Sequence, residues 1–198
     1  MKTIIKLMIF TFSLISCKAQ TIPMNNAHAE IPNGAYIKDT EYYLNNFIGT
    51  WEYQNGLENF TVILKKQENY SYDAYTTDIL YGEYKYVDNL GEELINTLNE
   101  IDLNTDKSYR NISGATFKVN GEFPICNDCN VGEIRVKSYF DDAIRDYLSL
   151  AISLRYIGPT QIKIRLYRDG KSFYINGNSD VPEMPTVPFF EYTMNKIN

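Results

Sequence analysis

The chain has 198 residues, a length typical of one domain, and its 19 basic and 25 acidic residues give a net charge of −6. An acidic chain without a basic cluster is unsuited to nucleic acid, because Lys and Arg side chains that neutralise phosphates supply most of that affinity. We therefore exclude nucleic-acid binding. Tyr occurs 17 times, and its frequency favours strands.

The first 16 residues have the three parts of a secretory signal. Lys2 and Lys6 give a positive start, an apolar run follows over 7–15, and the small residue Ser16 precedes Cys17. The run is far shorter than the roughly 20 residues that a permanent membrane-spanning helix needs. We therefore predict a cleaved signal peptide over 1–16, and we expect no membrane-spanning segment after it.

The segment Leu14-Ile15-Ser16-Cys17 resembles the lipobox of bacterial lipoproteins, in which the cysteine after the cleavage site is lipidated. The resemblance implies a diacylglyceryl group on the Cys17 thiol and a further acyl chain, such as palmitate, on its amine. Several acyl chains anchor a protein stably where one does not. The alternative is an ordinary secretory signal with a chance cysteine. Lys18, in place of the Asp typical of inner-membrane retention, favours an outer-membrane lipoprotein that faces the periplasm or the outside.

Residues 17–38 are rich in Ala, Asn, Pro and Gly and show no apolar periodicity, so we predict a flexible tether from lipidated Cys17. His28, the only histidine, lies in this segment and is expected to be solvated. The folded domain is expected over 39–198. It should begin with a short helical turn at 39–44, capped by Asp39 or Thr40.

From residue 48 onward apolar and polar residues alternate with period 2, which is typical of strands with one buried face. The clearest run extends from Leu148 to Tyr156, and Asp169-Gly170 further on is a strong hairpin signal. We predict strands near 48–54, 58–66, 69–76, 79–88, 93–98, 114–119, 132–138, 147–157, 161–168 and 188–195.

The segment 92–101 is ambiguous. Leu94, Leu98 and Ile101 have helical spacing, whereas Asn89 and Gly91 suit a hairpin turn, and we favour a strand. Many one-sided strands in sequence predict closure into a barrel or folding into a sandwich, because a long open sheet exposes its edges. The expected fold is all-β, an antiparallel meander of about 8–10 strands.

The segment Phe47-Ile48-Gly49-Thr50-Trp51 resembles the Gly-x-Trp opening of lipocalin-like domains, which also follows a short helix. The chain also has the lipobox-like segment and a predicted last strand after Pro188. In these three features it is similar to a group of uncharacterised lipocalin-like lipoproteins from two-membrane bacteria. The resemblance implies a lipocalin-like barrel or half-open calyx with no assigned activity. Trp51 is expected in the core, with ligand contact as the alternative. The segment 99–132 is longer than a tight lipocalin meander needs.

Cys126-Asn127-Asp128-Cys129 is the most conspicuous local motif. A zinc site needs further Cys or His ligands that the predicted domain lacks, so we expect no metal. A thioredoxin-like pair would open a helix in a βαβ unit, which the pattern does not predict. In an oxidising compartment a structural disulfide between Cys126 and Cys129 is favoured over free thiols or a redox role.

The sequence contains no set of residues that is typical of a catalytic site. Ser–His–Asp and Cys–His catalysis need a histidine in the fold, and His28 lies outside it. Glu92-Glu93 and Asp141-Asp142 are adjacent acids, which point to opposite faces in a strand and are normally solvated in turns. We predict no enzyme and no cofactor.

Near Asp141 the chain carries a polar cluster, formed by Asp142, Arg145, Asp146 and Tyr147. A solvated loop is expected here rather than a binding site.

Two functions remain. The first is binding of a small apolar ligand inside the barrel, where Gly82 on the apolar face of a strand would leave room. The ligand-binding residues stay unassigned. The second is a structural or protein-interaction lipoprotein without a ligand pocket, which would contact another envelope protein through an exposed face or through loops such as 99–132.

Overall fold

In the computed structural model of the protein, residues 20–26, 30–119, 121–170 and 182–197 are described. The predicted signal peptide, Cys17 and His28 lie outside these residues. The described strands are β1 (Thr21–Pro23), β2 (Tyr36–Lys38), β3 (Gly49–Asn55), β4 (Glu58–Ser71), β5 (Thr76–Val87), β6 (Glu93–Asn96), β7 (Ile112–Lys118), β8 (Arg135–Phe140), β9 (Leu150–Gly158), β10 (Gln161–Arg168) and β11 (Glu191–Ile197). The described helices are short 3-10 helices at Met24–Asn26, Tyr43–Phe47, Leu98–Asp102 and Lys107–Tyr109.

Eight of these strands close an antiparallel barrel in the order β3, β4, β5, β7, β8, β9, β10, β11, and β11 returns to pair with β3. β5 and β7 join through only two residue pairs, Tyr81–Ser113 and Gly82–Ile112. Closure pairs the edges that an open sheet would leave free. The predicted all-β, lipocalin-like barrel is confirmed.

The alternation along the strands separates the barrel interior from its outer face. Ile152 and Leu154 on β9 lie inside, and Leu154 pairs across the ladder with Ile164 of β10. Each such aliphatic side chain contributes about 1.5–3 kcal/mol when it is fully buried. The interior residues that are at most 1% exposed include Trp51, Phe60, Val62, Leu64, Leu80, Tyr84, Ile112, Val136, Phe140, Ile152, Leu154, Ile162, Ile164, Tyr192 and Met194.

The 3-10 helix Tyr43–Phe47 packs over one end of the barrel, which we call the helix end. The helix begins later than the predicted 39–44, and its N-cap position is Tyr42 and not Asp39 or Thr40. The Asp39 carboxylate still accepts hydrogen bonds from the first free backbone N–H groups of the helix, those of Tyr43 at 2.8 Å and Leu44 at 2.9 Å. Trp51 is fully buried, and its indole N–H donates to the carbonyl of Phe47 at 2.8 Å. Trp51 is therefore a core residue, as predicted.

The prediction of a flexible tether over 17–38 is wrong for the described part of that segment. β1 pairs in parallel with β2, and β2 pairs in parallel with the start of β5. Met24 and Ile37 are only 4% and 6% exposed. The segment has no core of its own. Hydrogen bonds to β5 and a few buried side chains hold it on the barrel. The folded domain therefore includes residues 20–26 and 30–38.

β4 and β5 form one long hairpin, where the sequence predicts three strands. A register shift between Gln67 and Tyr70, with Asn69 at a φ of 54°, marks a bulge inside β4. The polar residues at this bulge look like a turn in the sequence, which explains the false break. The ambiguous segment 92–101 contains both predicted structures, since β6 ends at Asn96 and a 3-10 helix begins at Leu98.

Candidate functional site

Aromatic rings fill the barrel at the end opposite the helix, where a calyx would open. The Phe60 ring centroid lies 4.9 Å from that of Tyr192 and 6.2 Å from that of Tyr84, and Tyr84 lies 4.6 Å from Phe140. These four side chains are at most 1% exposed. Such ring contacts stabilise a packed core beyond the area that they bury. The described interior is therefore packed at the position expected for a ligand.

Gly82 does not leave room for a ligand. A Cβ atom at this position would lie 2.3 Å from the carbonyl oxygen of Ile63 and 2.9 Å from Cδ2 of Leu64. β4 approaches β5 so closely here that a side chain would collide with backbone. The hypothesis that Gly82 opens an inner cavity is wrong, because its neighbours already occupy the space.

A cavity of about 270 Å³ lies instead in the barrel wall, where β5 and β7 separate. β5 pairs with β7 only at Tyr81 and Gly82, and its first residues pair with β2. Gly114, with a φ of 82°, and a register shift between Ser113 and Thr116 accompany the departure of β7 from β5. We call this opening the β2–β7 groove.

The β2–β7 groove has an apolar floor and a tyrosine rim. Buried Met24, Ile37 and Ile79 lie on its floor, although they come from three separate segments. Tyr72 and Tyr139 on the rim are 37% and 58% exposed. The remaining lining residues are Ile31, Tyr75, Thr77, Gly114, Ala115, Thr116 and Phe117.

The lining of the groove is uncharged. Its polar side-chain groups are the hydroxyls of Thr77, Thr116 and the three tyrosines. Burial raises the pKa of Tyr72 because the phenolate is poorly solvated there. A cavity of about 150 Å³ suffices for benzene, so the groove is large enough for a neutral apolar molecule of modest size.

A buried ion network beside the groove fixes the N-terminal segment to the β4–β5 hairpin. Lys66 Nζ lies 3.4 Å from Asp39 Oδ2 and 3.9 Å from Asp78 Oδ2, and both carboxylates are fully buried. Asp78 also accepts hydrogen bonds from the Tyr36 hydroxyl at 2.5 Å and from the backbone N–H of Asn69 at 3.0 Å. Burial and the Asp78 carboxylate both raise the pKa of Tyr36. Because its carboxylates have these partners, the network holds β2 in place and is not a free binding site.

Cys126 and Cys129 are joined in a disulfide, with Asp128 beside them. The sulfur and carboxylate atoms lie within 4.8 Å of one another, but bonded sulfurs cannot act as thiolate ligands to a metal. Asp128 Oδ2 accepts hydrogen bonds from Arg155 at 2.7 Å and Lys163 at 3.1 Å, which lower its pKa to about 2. The motif therefore attaches its loop to the outer faces of β9 and β10.

The polar cluster after Asp141 is not a solvated loop throughout, and this prediction is wrong for Asp142. Asp142 is fully buried and accepts hydrogen bonds from Thr186. Arg145 and Tyr147 donate to backbone carbonyls of the segment 182–184. The cluster thus holds two loops together. In the sequence, the polar composition of this cluster resembles that of a solvated surface loop. Only its long-range contact with the segment 182–186 distinguishes it from such a loop.

The structure therefore supports a different candidate site from the one predicted. The predicted site was the barrel axis, whereas the β2–β7 groove combines β2, β5, β7 and the helix Met24–Asn26. The one local signal was the cluster of tyrosines at 70–75. The predicted lipidation site Cys17 lies outside the described residues. Within the described ranges, no helix has the length and apolar character to cross a membrane.

A family model described as "Family of unknown function (DUF6705)" matches residues 1–197 of the chain. No curated protein and no solved structure matches the chain significantly.

Proposed function

The chain belongs to a family of unknown function, and we propose that it is a membrane-anchored envelope lipoprotein that binds a small apolar molecule in the β2–β7 groove. The proposal has two parts, an anchor at Cys17 and a binding site in the barrel wall. The parts have separate tests, because either can fail without the other.

The anchor is supported by the residues before the domain. A positive start and an apolar run precede the lipobox-like segment that ends at Cys17. Mass spectrometry of protein extracted from cell membranes should find acyl groups on Cys17, and Cys17→Ser should move the protein to the soluble fraction. An unmodified Cys17 in the membrane-extracted protein would refute the anchor. Fractionation on a density gradient tests the outer-membrane location.

The observation that carries the binding proposal is the apolar floor of the groove, formed by Met24, Ile37 and Ile79. Apolar surface removed from water contributes about 25 cal/mol per Å², so contact with this floor would supply a driving force for binding a neutral apolar molecule. The lining supplies hydroxyls but neither a carboxylate nor an imidazole, which supports binding over catalysis.

A substitution that fills the groove tests the binding proposal. Ala115 on β7 lines the cavity, so Ala115→Phe should reduce its volume, whereas Thr193→Phe adds the same ring on an exposed part of β11. Native mass spectrometry of the Cys17→Ser protein should show a co-purifying small molecule that Thr193→Phe retains and Ala115→Phe loses. Circular dichroism checks that both variants fold. Absence of a bound molecule from the unfilled protein, also after incubation with hydrophobic dyes, would count against a ligand site.

The packed barrel axis favours a second function, a structural or protein-interaction lipoprotein without a ligand. The rings of Phe60, Tyr84 and Tyr192 leave this end of the barrel as a rigid scaffold. Cross-linking and pull-down with the intact lipoprotein test this alternative. A stable envelope partner, together with an empty groove, would favour it over ligand binding.

A further inference from the structure

The N-terminal strand lies at the helix end of the barrel, close to the β4–β5 turn. The carbonyl of Gln20 accepts a hydrogen bond from the backbone N–H of Tyr36 at 2.8 Å. Tyr36 pairs in turn with Thr76, the first residue of β5. Neighbouring strands lie about 4.8 Å apart, so Gln20 is about 10 Å from Thr76. The described chain therefore starts beside the turn at 72–75, which we call the hairpin tip.

This position matters because of the predicted anchor. Only two residues separate Gln20 from Cys17. In any conformation the Cα atoms of Cys17 and Gln20 are therefore within about 11 Å of each other. The buried side chains of Met24 and Ile37 hold this segment against the barrel. A lipid on Cys17 would thus keep the helix end of the domain against the bilayer surface.

The hairpin tip projects beyond the rest of the barrel toward that side. Gly49, the first residue of β3, pairs with Leu64, and β4 continues to Ser71. The rings of Tyr70, Tyr72 and Tyr75 form a chain at the tip, with centroids 5.0 Å and 5.4 Å apart. Tyr72 is 37% exposed.

Tyrosine suits this position, because its ring is apolar and its hydroxyl remains hydrated. Tyr and Trp are accordingly enriched at the headgroup level of membranes. Two exposed acidic residues, Asp73 and Glu68, lie on the same hairpin and oppose deeper insertion. The hairpin thus suits contact with the headgroups and not with the centre of the bilayer.

We infer that the hairpin tip, through Tyr72 and Tyr75, lies in the headgroup region of the bilayer that holds the lipid on Cys17. The inference rests on the proposed anchor but not on the proposed ligand. It orients the domain with its helix end toward the membrane. The mouth of the β2–β7 groove, which shares Tyr72 and Tyr75 with the tip, then lies at the bilayer surface.

The test uses tryptophan fluorescence of the acylated full-length protein in phosphatidylcholine vesicles. Tyr72→Trp places a reporter at the tip, and the natural Trp51 is fully buried and gives a constant background. Leu57→Trp is the matched control, because Leu57 is 64% exposed in the turn between β3 and β4, at the other end of β4. Leu57 and Tyr72 flank the 14 residues of β4, so the extended strand separates the two reporters by up to about 50 Å.

Acyl chains brominated near the headgroup should reduce the emission of Tyr72→Trp and leave that of Leu57→Trp unchanged. Aqueous iodide should have the opposite effect. Equal quenching of both reporters by iodide, without quenching by the brominated lipid, would overturn the inference. Tyr75→Trp provides a second reporter if Tyr72→Trp does not fold.

Failure of the anchor is distinguishable from failure of the orientation. If Cys17 carries no acyl group, mass spectrometry shows this before reconstitution, and the proposed function and this inference fall together. If Cys17 is acylated and the tip reporter remains in water, only the orientation is wrong.

Discussion

The Asp142 carboxylate accepts two hydrogen bonds from Thr186, one from the backbone N–H at 2.5 Å and one from the hydroxyl at 2.9 Å. Asp142 is fully buried and also accepts the backbone N–H groups of Ile144 and Arg145. A single carboxylate therefore joins two loops that are 44 residues apart in the chain.

Asp142→Ala should destabilise the protein by about 2–4 kcal/mol, because it leaves several backbone N–H donors without an acceptor. One of these donors, the N–H of Thr186, belongs to a buried residue. Urea unfolding measures this change. Asp146→Ala is the control, since Asp146 is exposed on the same loop, and it should stay within about 0.5 kcal/mol of the parent. Equal effects of the two substitutions would contradict the anchoring role of Asp142.

Lys66 and Lys65 are neighbours in β4 with opposite environments. The Lys66 side chain is 6% exposed between the fully buried carboxylates of Asp39 and Asp78, whereas Lys65 pairs with Asp102, whose side chain is 80% exposed. Lys66→Met should cost about 3–5 kcal/mol, because it leaves two buried carboxylates without their cation. Lys65→Met should cost at most about 1 kcal/mol. Comparable unfolding midpoints for both variants would show that Lys66 does not neutralise these acids.

The barrel was predictable because the sequence features that indicate it, alternation and turns, lie close together in the chain. Along β9 and β10 the alternation of apolar and polar residues shows which side chains face inward, and Pro159-Thr160 marks the turn between them. Asp169-Gly170 does not join β10 to its described partner β11 in the predicted two-residue hairpin, because β10 ends at Arg168 and β11 begins only at Glu191. Sequential antiparallel strands have their partners nearby in the chain, so pattern and turns suffice to predict the meander.

The N-terminal segment was not predictable in the same way. β2 pairs in parallel with β5, and a parallel pair has no hairpin turn to reveal it. The groove depends on this pairing, because Ile37 and Ile79 meet only when β2 lies beside β5. Composition alone therefore made residues 20–38 look like a tether.

Asp128 allows a test by pH. Arg155 and Lys163 donate to its carboxylate and lower its pKa from 3.8 to about 2. Because the folded-state pKa is below the unfolded one, the pairing favours the folded state above about pH 4 and is lost as the pH falls through about 2. Since Asp128 is exposed, the pKa itself is the quantity to measure, by NMR titration of its carboxyl carbon.

Arg155→Met should raise the pKa of Asp128 toward 3.8. Lys137→Met is the control, because Lys137 pairs with Asp169 at 2.6 Å and makes no ion pair with Asp128. An Asp128 pKa that stays near 3.8 in the parent protein would show that the two cations do not hold its carboxylate in solution.

Gly82→Ala tests the packing of the barrel itself. The added methyl group would meet the carbonyl oxygen of Ile63 at 2.3 Å and Leu64 Cδ2 at 2.9 Å, so we expect a loss of about 3 kcal/mol from overpacking. Gly158→Ala is the control, because no heavy atom lies within 4 Å of its Cβ position, and its effect should be below about 0.5 kcal/mol. A neutral Gly82→Ala would mean that the space beside Leu64 is not filled. The barrel axis would then again be a candidate ligand site beside the β2–β7 groove.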